Sequence, residues 1–371
     1  MSDLSKIIAN LPPEKRAEVL AQLRSGTDKK EAVREINFSN NFEYRFNSEA
    51  PFDFSVAQTE VKDPGPGCVQ VRAKASSLNF RDVMIASKLY PASPGVPSNM
   101  GSDYAGIVEK VGEGVTTIKP GDEVIALHVG HVEDGEVRDN CHFIQTFNVF
   151  EECVCRKPAN LSFVEAACIP TVFLTAYIGL VELADLKSSE RVLIHTASGG
   201  VGLSAVQIAN WIGAKIYATA GSSEKRDFLL GLGIEQVFNS RTADFADEIK
   251  NSDIKLDVVL NTLSGELMTE SMKLLKPFGR FIHIDKKDVA SDYPLPMGLF
   301  INSISFQFLD ISLLFKNPAL MNKSLNGIVD LFEEQKVEPI KYSVFPAAEL
   351  KKAITSLSRG THIGKIVVEY D

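Results

Sequence analysis

Little of this chain is given to cross-linking or metal chemistry: its 371 residues include five cysteines, six histidines and a single tryptophan. Cys68, Cys141, Cys153, Cys155 and Cys168 are too few and too irregularly spaced for a disulfide framework, so reduced thiols are expected. Positive charge is not in surplus either. With 39 Lys and Arg against 48 Asp and Glu, a formal charge of -9, the chain lacks the clustered cations that a phosphate backbone requires, which argues against nucleic acid as a partner. No apolar run approaches the roughly 20 residues that span a bilayer. The polar start Met1 to Lys6 also lacks a secretory pattern, so a cytoplasmic protein with no membrane contact is expected. Internal repeats and low-complexity tracts are missing. What is present, 44% hydrophobic and 23% charged residues, suits a large core and two domains.

Residues 1–35 differ from the rest. Leu4, Ile7, Ile8 and Leu11, then Val19, Leu20 and Leu23, recur at helical spacing around Pro12 and Pro13. Two short amphipathic helices are predicted, the second opening at Pro13, where a missing N–H costs nothing. Whether this linker caps its own domain or docks a neighbour is open, because amphipathicity alone fits both. From 36 to 157 short alternating stretches such as "CVQVRAKAS", "YAGIVEKVG" and "DEVIAL" are punctuated by "DPGPG" and "KPGDEV", which predicts a mostly antiparallel β domain. From 158 to 304 continuous apolar strands ("RVLIHT", "KIYATA", "QVFN", "DVVLN", "GRFIHI") alternate with helical stretches, among them "SEKRDFLLGLG" and "DFADEIK". Strands buried on both faces between helices predict an α/β, doubly wound parallel sheet.

The strongest local signal is "RVLIHTASGGVGLSAVQIA", Arg191 to Ala209: a buried strand, a turn and an amphipathic helix. In that turn Ser198, Gly199, Gly200, Val201 and Gly202 combine sharp reversal with free N–H groups at a helix start, the arrangement that lets a backbone approach a dinucleotide's diphosphate. The spacing departs from the usual three-glycine form. After the next strand, where NAD-specific folds usually place an acid for the ribose hydroxyls, this chain has Gly221, Ser222, Ser223, Lys225 and Arg226. Hydroxyls and cations suit a 2′-phosphate, with Arg241 as a second cation from the neighbouring loop, so NADPH is the expected cofactor. Glu224 runs against that reading, and a solvated helix face is the plainer account of Lys225 and Arg226.

Zinc is not expected. A catalytic zinc needs three converging ligands and a structural one four. The cysteine expected after the first β hairpin is replaced in "SSLNFRD", Ser76 to Asp82, and the His–Glu pair expected later in "GSDYAG", Gly101 to Gly106. His128, His131, Cys141 and His142, followed by Cys153 and Cys155, match no standard ligand spacing and read as a loop near substrate entry.

Together "LNFRDVMIASKLYP", "GSDYAGIVEKVGEGV", "AACIPTVFLTAY", "LIHTASGGVG", "GSSEKRDFL", "FNSRTADFADEI", "VVLNTLSGELM" and "GRFIHIDKKD" resemble the enoyl reductase domains of modular polyketide synthases and animal fatty acid synthase, over most of residues 38–371. That resemblance implies the zinc-independent medium-chain dehydrogenase/reductase architecture: a GroES-like substrate domain at 36–157, a Rossmann NADPH domain at 158–304, and a return to the substrate domain at 305–371. It implies hydride transfer from NADPH to the β-carbon of an enoyl thioester on acyl carrier protein, then protonation of the α-carbon, beside other polyketide synthase domains. By the same resemblance Lys286 is the proton donor or thioester-orienting cation and Asp310 its acidic companion. Lys287 is an adjacent rival, and Asp285 departs from the family's glycine. Thr171, Thr175 and Asn261 match positions around the nicotinamide and ribose. Asn79, Phe80, Arg81, Asp82 and Tyr90 match the substrate pocket. Relatives can carry Tyr where this chain has Phe80, and a phenyl ring has no proton to donate. Tyr90 and Tyr104 remain alternative donors.

Two departures, the long insertion from His128 to Asn148 and the unfamiliar first 35 residues, suggest a second chemistry. Hydride addition to a γ-chloro enoyl thioester, with the carbanion expelling chloride, closes a cyclopropane and needs no new cofactor. Plain reduction is the leading expectation and this cyclopropanase variant follows it. A free-standing quinone or enone reductase, or an NADPH-binding protein without turnover, are the remaining readings. Oligomeric state stays open at this point.

Overall fold

The computed structural model describes residues 16, 19, 41–46, 51–90, 99–128, 131–133, 136–138 and 142–370. Residues 16 and 19 are helical; the rest of the expected N-terminal helices lies outside the described residues. The chain divides into two compact units, one formed by Met1–Thr171, Ser312–Glu333 and Lys341–Asp371, the other by Val172–Ile311 and Glu334–Ile340.

In the first unit, β1 (Phe42–Phe46) and β2 (Phe54–Gln58) pair antiparallel. The 11-residue β3 (Cys68–Leu78) leads into a short helix α1 (Phe80–Ala86). β4 (Asp103–Val111) and β5 (Glu123–Leu127) follow, then the small hairpin β6 (His131–Glu133) and β7 (Glu136–Arg138). β8 (His142–Ile144) extends the β1–β2 pair, β9 (Thr146–Phe150) pairs with β3, and β10 (Val154–Arg156) with β5. A turn of helix, α2 (Phe163–Ala166), closes this stretch with a capping box between Ser162 and Glu165. The mostly antiparallel pairing is what the alternating stretches predict. β3 is the central strand, so it is buried on both faces and its alternation is weak. Gly106 shows why "YAGIV" needs its glycine: a Cβ there would stand 2.2 Å from the Arg72 carbonyl oxygen, where β4 shifts register against β3.

The second unit opens with most of α3 (Pro170–Tyr177) and builds a six-stranded sheet. Its elements alternate strictly: β11 (Arg191–Ile194), α4 (Gly200–Ile212), β12 (Lys215–Ala220), α5 (Ser223–Leu230), β13 (Gln236–Asn239), α6 (Asp244–Lys250), β14 (Leu256–Asn261), α7 (Glu266–Met272), β15 (Leu275–His283), α8 (Lys286–Ala290) and β16 (Ser305–Phe308). All neighbours are parallel, in the order β13-β12-β11-β14-β15-β16. The chain therefore winds outward from β11 to one edge, returns to the centre and winds from β14 to the other, so the winding reverses between β11 and β14. Ligands of such sheets bind at that reversal, beyond the carboxyl ends of the strands. Leu193, Phe245, Val259 and Phe281, all fully buried, anchor one apolar cluster of this unit, and truncating a buried Phe to Ala costs about 3–5 kcal/mol. The sixth strand, β16, pairs with β15 in this sheet although it lies past residue 304, and the second unit runs on through Ile311 and takes up Glu334–Ile340 later in the chain. Four residues of edge strand carry too little pattern to be read locally.

The return adds α9 (Pro318–Glu333), β17 (Tyr342–Pro346), α10 (Leu350–Arg359) and β18 (Lys365–Glu369). β18 pairs antiparallel with β3 and parallel with β17. Among the described residues no helix is long and apolar enough to cross a membrane.

Candidate active site

The turn from β11 to α4 is built for close approach. A Cβ on Gly202 would lie 2.4 Å from the Ala197 Cα, so only glycine lets the helix start pack on the turn. Gly199 is the N-cap and no side chain caps the helix. The first intrahelical bond runs from the Leu203 N–H to the Gly199 carbonyl, 2.9 Å. The amides of Gly200, Val201 and Gly202 precede it, at the positive end of a 13-residue helix. Ser198 is buried beside them, while Gly199 and Gly200 are half-exposed. This cradle fits a diphosphate.

One strand over, Ser222 caps α5 by accepting from the Lys225 amide at 3.3 Å, which leaves its own O–H to donate. Arg226 Nη1 donates to the Ala220 carbonyl at 3.4 Å. A Cβ on Gly221 would meet Arg241 Nε at 2.4 Å, so this glycine makes room for the Arg241 guanidinium. Two guanidiniums therefore flank the carboxyl end of β12, with Ser222 and Ser223 exposed beside them and Lys225 half-buried. Glu224 is exposed on the same helix turn.

On the other side of the reversal, Lys286 begins α8 just beyond β15, and Asp310 lies just beyond β16. Because His283 and Phe308 are register partners, the two strands deliver these residues to the same edge. Lys286 Nζ stands 2.7 Å from Asp310 Oδ2, with the aspartate side chain 5% exposed. Lys287 has no such ion pair with Asp310 among the described contacts. Asn261, at the end of β14, is fully buried: its amide NH2 donates to the Leu263 carbonyl at 2.7 Å and meets His283 Nδ1 at 2.8 Å, and its oxygen accepts the Leu263 N–H. It shapes the strand end instead of projecting outward. His283 was not legible as a partner; burial pushes its imidazole down to about 4, so it is neutral at pH 7. Thr175 is buried on α3.

The first unit holds a second polar cluster. Lys365 Nζ donates to Asn79 Oδ1 at 2.7 Å and to Asp103 Oδ2 at 2.9 Å. Asn79 Nδ2 also donates to Asp103 Oδ2 at 2.9 Å, and Thr171 donates to Asp103 Oδ1 through both its amide and its hydroxyl. The two stretches "SSLNFRD" and "GSDYAG", which lack the zinc ligands, thus meet around an ammonium. Lys365 and Asp103 were missed; the one sequence signal is a charge set in each case against a buried strand. Asp82 is fully buried and accepts from the Asn79 and Gly101 amides at 2.7 and 3.0 Å, and burial raises its carboxyl to about 6. Arg81 lies over the Tyr90 ring, 5.2 Å from its centroid, while Phe80 is 43% exposed. Thr171 serves Asp103 in this unit, so its hydroxyl is committed there.

Cys153 and Cys155 are buried and their thiols are pushed up to about 12 by burial. His128 is buried with Nδ1 3.2 Å from the Gly101 carbonyl. Cys141 lies outside the described residues. Among the described residues no three His, Cys, Asp or Glu side chains are grouped to hold a metal ion.

A GroES-like β unit, a doubly wound parallel sheet and a glycine turn of this form define the medium-chain dehydrogenase/reductase class, oxidoreductases that bind a nicotinamide dinucleotide. Residues 65–163 match the alcohol dehydrogenase GroES-like domain and residues 232–368 the zinc-binding dehydrogenase family. The crystal structure of CurK enoyl reductase is 33% identical, with TM-score 0.78, covering 89% of this chain and 99% of that one. The CurF ER cyclopropanase from the curacin A biosynthetic pathway is 30% identical, with TM-score 0.79 and the same coverages, 89% and 99%. A mycocerosic acid synthase-like polyketide synthase of Mycobacterium tuberculosis is 35% identical over 331 residues, 88% of this chain. The chain spans 15% of that relative's length. The chain belongs to the enoyl reductase family found in polyketide synthases.

Proposed function

We propose that this oxidoreductase reduces the α,β double bond of an acyl thioester carried on acyl carrier protein, in the cytoplasm, in polyketide biosynthesis and beside other synthase domains. NADPH supplies the hydride that adds to the β-carbon. The observation that carries the reading is the Lys286–Asp310 ion pair, 2.7 Å long, at the carboxyl ends of β15 and β16. Reduction moves an electron pair toward the thioester carbonyl and creates an enolate. Lys286 brings a positive charge and N–H donors to that oxygen and carries a proton that can pass to the α-carbon. Asp310 holds the ammonium in position. Phe80 leaves no hydroxyl at the position where relatives can carry Tyr. Arg226 and Arg241 support the 2′-phosphate of NADPH, because two guanidiniums at one strand end match a phosphate better than ribose hydroxyls.

The likeness to the CurF cyclopropanase favours a second reading, ring closure on a γ-chloro enoyl thioester with chloride loss. Both are tested by incubating the protein with NADPH and two carrier-bound thioesters, one a plain α,β-enoyl and one bearing γ-chlorine, and following NADPH loss with product mass. Saturated products with chlorine retained are the expected result, and Lys286→Met is expected to abolish them while NADPH still binds. Chloride release with a ring product would transfer the assignment to the cyclopropanase. NADPH loss only with quinones or small enones would leave a free-standing reductase, and none with any acceptor a non-catalytic binder.

A further inference from the structure

The carboxyl ends of β11 and β14 carry two hydroxyls to which no role has been given above. Ile194 and Leu260 are register partners, and two residues beyond each, Thr196 and Thr262 face one another with Oγ1 atoms 2.7 Å apart. Both residues are half-buried. Thr196 has φ of 49°, a left-handed conformation that a β-branched residue adopts only under constraint. The constraint is visible: its N–H donates to Thr219 Oγ1 at 3.3 Å, its carbonyl accepts the Gly199 N–H at 3.0 Å, and the next amide, Ala197, donates to the Thr219 carbonyl at 2.9 Å. Strain of this kind is characteristic of ligand clamps.

The place is informative. The winding reverses between β11 and β14, so the pair spans the mouth of the ligand crevice. On the β12 side lie Ser222, Arg226 and Arg241; on the β15 and β16 side lie Lys286 and Asp310. One threonine spends its O–H on the other, and the second O–H is available to an acceptor in the crevice. We propose that Thr196 and Thr262 form a positioning clamp for the nicotinamide-side phosphate of the dinucleotide. The clamp fixes the half of the cofactor that reacts, between a diphosphate cradle at Gly199 to Gly202 and the Lys286–Asp310 pair. It rests on the nicotinamide dinucleotide reading given above.

The test compares two probes: NADPH, and adenosine 2′,5′-bisphosphate, which has the adenosine-side groups but lacks the nicotinamide-side phosphate. Binding is measured by fluorescence and calorimetry for the full chain and for Thr262→Val and Thr262→Ser. Valine keeps the shape and removes the hydroxyl. The expected result is an about tenfold loss of NADPH affinity in Thr262→Val, the scale of one hydrogen bond to a charged group, with affinity for the bisphosphate held within about twofold and NADPH affinity restored in Thr262→Ser. Thr262→Ala serves if valine prevents folding. Unchanged NADPH affinity would overturn the clamp, and so would an equal loss of both probes, which marks a merely structural role for the loop. A parent chain that binds the bisphosphate but not NADPH would overturn it too, whereas one that binds neither refutes the dinucleotide reading beneath it.

Discussion

Acid should weaken this fold chiefly through one buried imidazole. His195 is 1% exposed at the end of β11, with Nδ1 3.0 Å from Thr219 Oγ1 and Nε2 2.9 Å from Ser271 Oγ. Ser271 donates its own O–H to the Leu267 carbonyl, so it accepts from Nε2–H, and Nδ1 accepts from Thr219. Every position is filled by a neutral ring. Burial pushes its pKa from 6.5 down to about 3. Since the unfolded chain binds the proton first, stability from this group is complete above pH 6.5 and is lost as pH falls toward 3. At 1.36 kcal/mol for each unit, lowering the pH to about 4.5 removes about 3 kcal/mol. His283, also depressed, acts in the same direction, while Asp82, whose carboxyl is raised to about 6, gains stability as it takes up a proton. Comparing variant with parent cancels both. His195→Gln keeps an acceptor and a donor but does not titrate. Urea unfolding of both proteins near pH 7 and near pH 4.5 should show the parent's advantage shrinking by about 3 kcal/mol. An offset that stays constant between the two pH values would refute the reasoning, and His195→Asn provides a second non-titrating chain.

Three further outcomes are expected. Lys365→Met leaves the Asp103 carboxylate buried without its cation and should cost about 3–5 kcal/mol in denaturant unfolding, most of it recovered when Asp103→Asn is added. Gly202→Ala drives a methyl against backbone atoms of Ala197 that cannot rotate away, so it should lower stability by about 1–3 kcal/mol and weaken NADPH binding at least about tenfold by calorimetry. Arg241→Gln should reduce the preference for NADPH over NADH by about 10- to 100-fold in kcat/KM, the scale of a charge-assisted hydrogen bond, with NADH turnover nearly unchanged.

How far the chain can be read without coordinates depends on the range of the interaction involved. The glycine turn and α6 are legible because their causes are local: backbone crowding at Gly202, and apolar Phe245, Ala246 and Ile249 on one face of "DFADEIK". Lys286 and Asp310 have no local signature; their meeting follows from the register of β15 and β16, and only the resemblance to enoyl reductases pointed to it. The resemblance matches Asn261 to a position near the nicotinamide, and in the structure its amide bonds Leu263 and His283. A buried polar residue announces that it needs a partner, not which one. Lys365 was invisible for the same reason, since its two polar partners, Asn79 and Asp103, lie far from it in the chain.

If Arg241 selects the 2′-phosphate as proposed, the missing side chain at Gly221 makes coenzyme preference easy to change over generations. Arg241 occupies the volume that any side chain at this position would claim. One base change turns a glycine codon ending in a pyrimidine into an aspartate codon, which would at once evict the guanidinium and install a carboxylate where ribose hydroxyls would lie. On the proposed NADPH reading, the two coenzyme preferences would stand a single mutational step apart, and a lineage moved to a cell with a different balance of the two could switch without rebuilding the sheet.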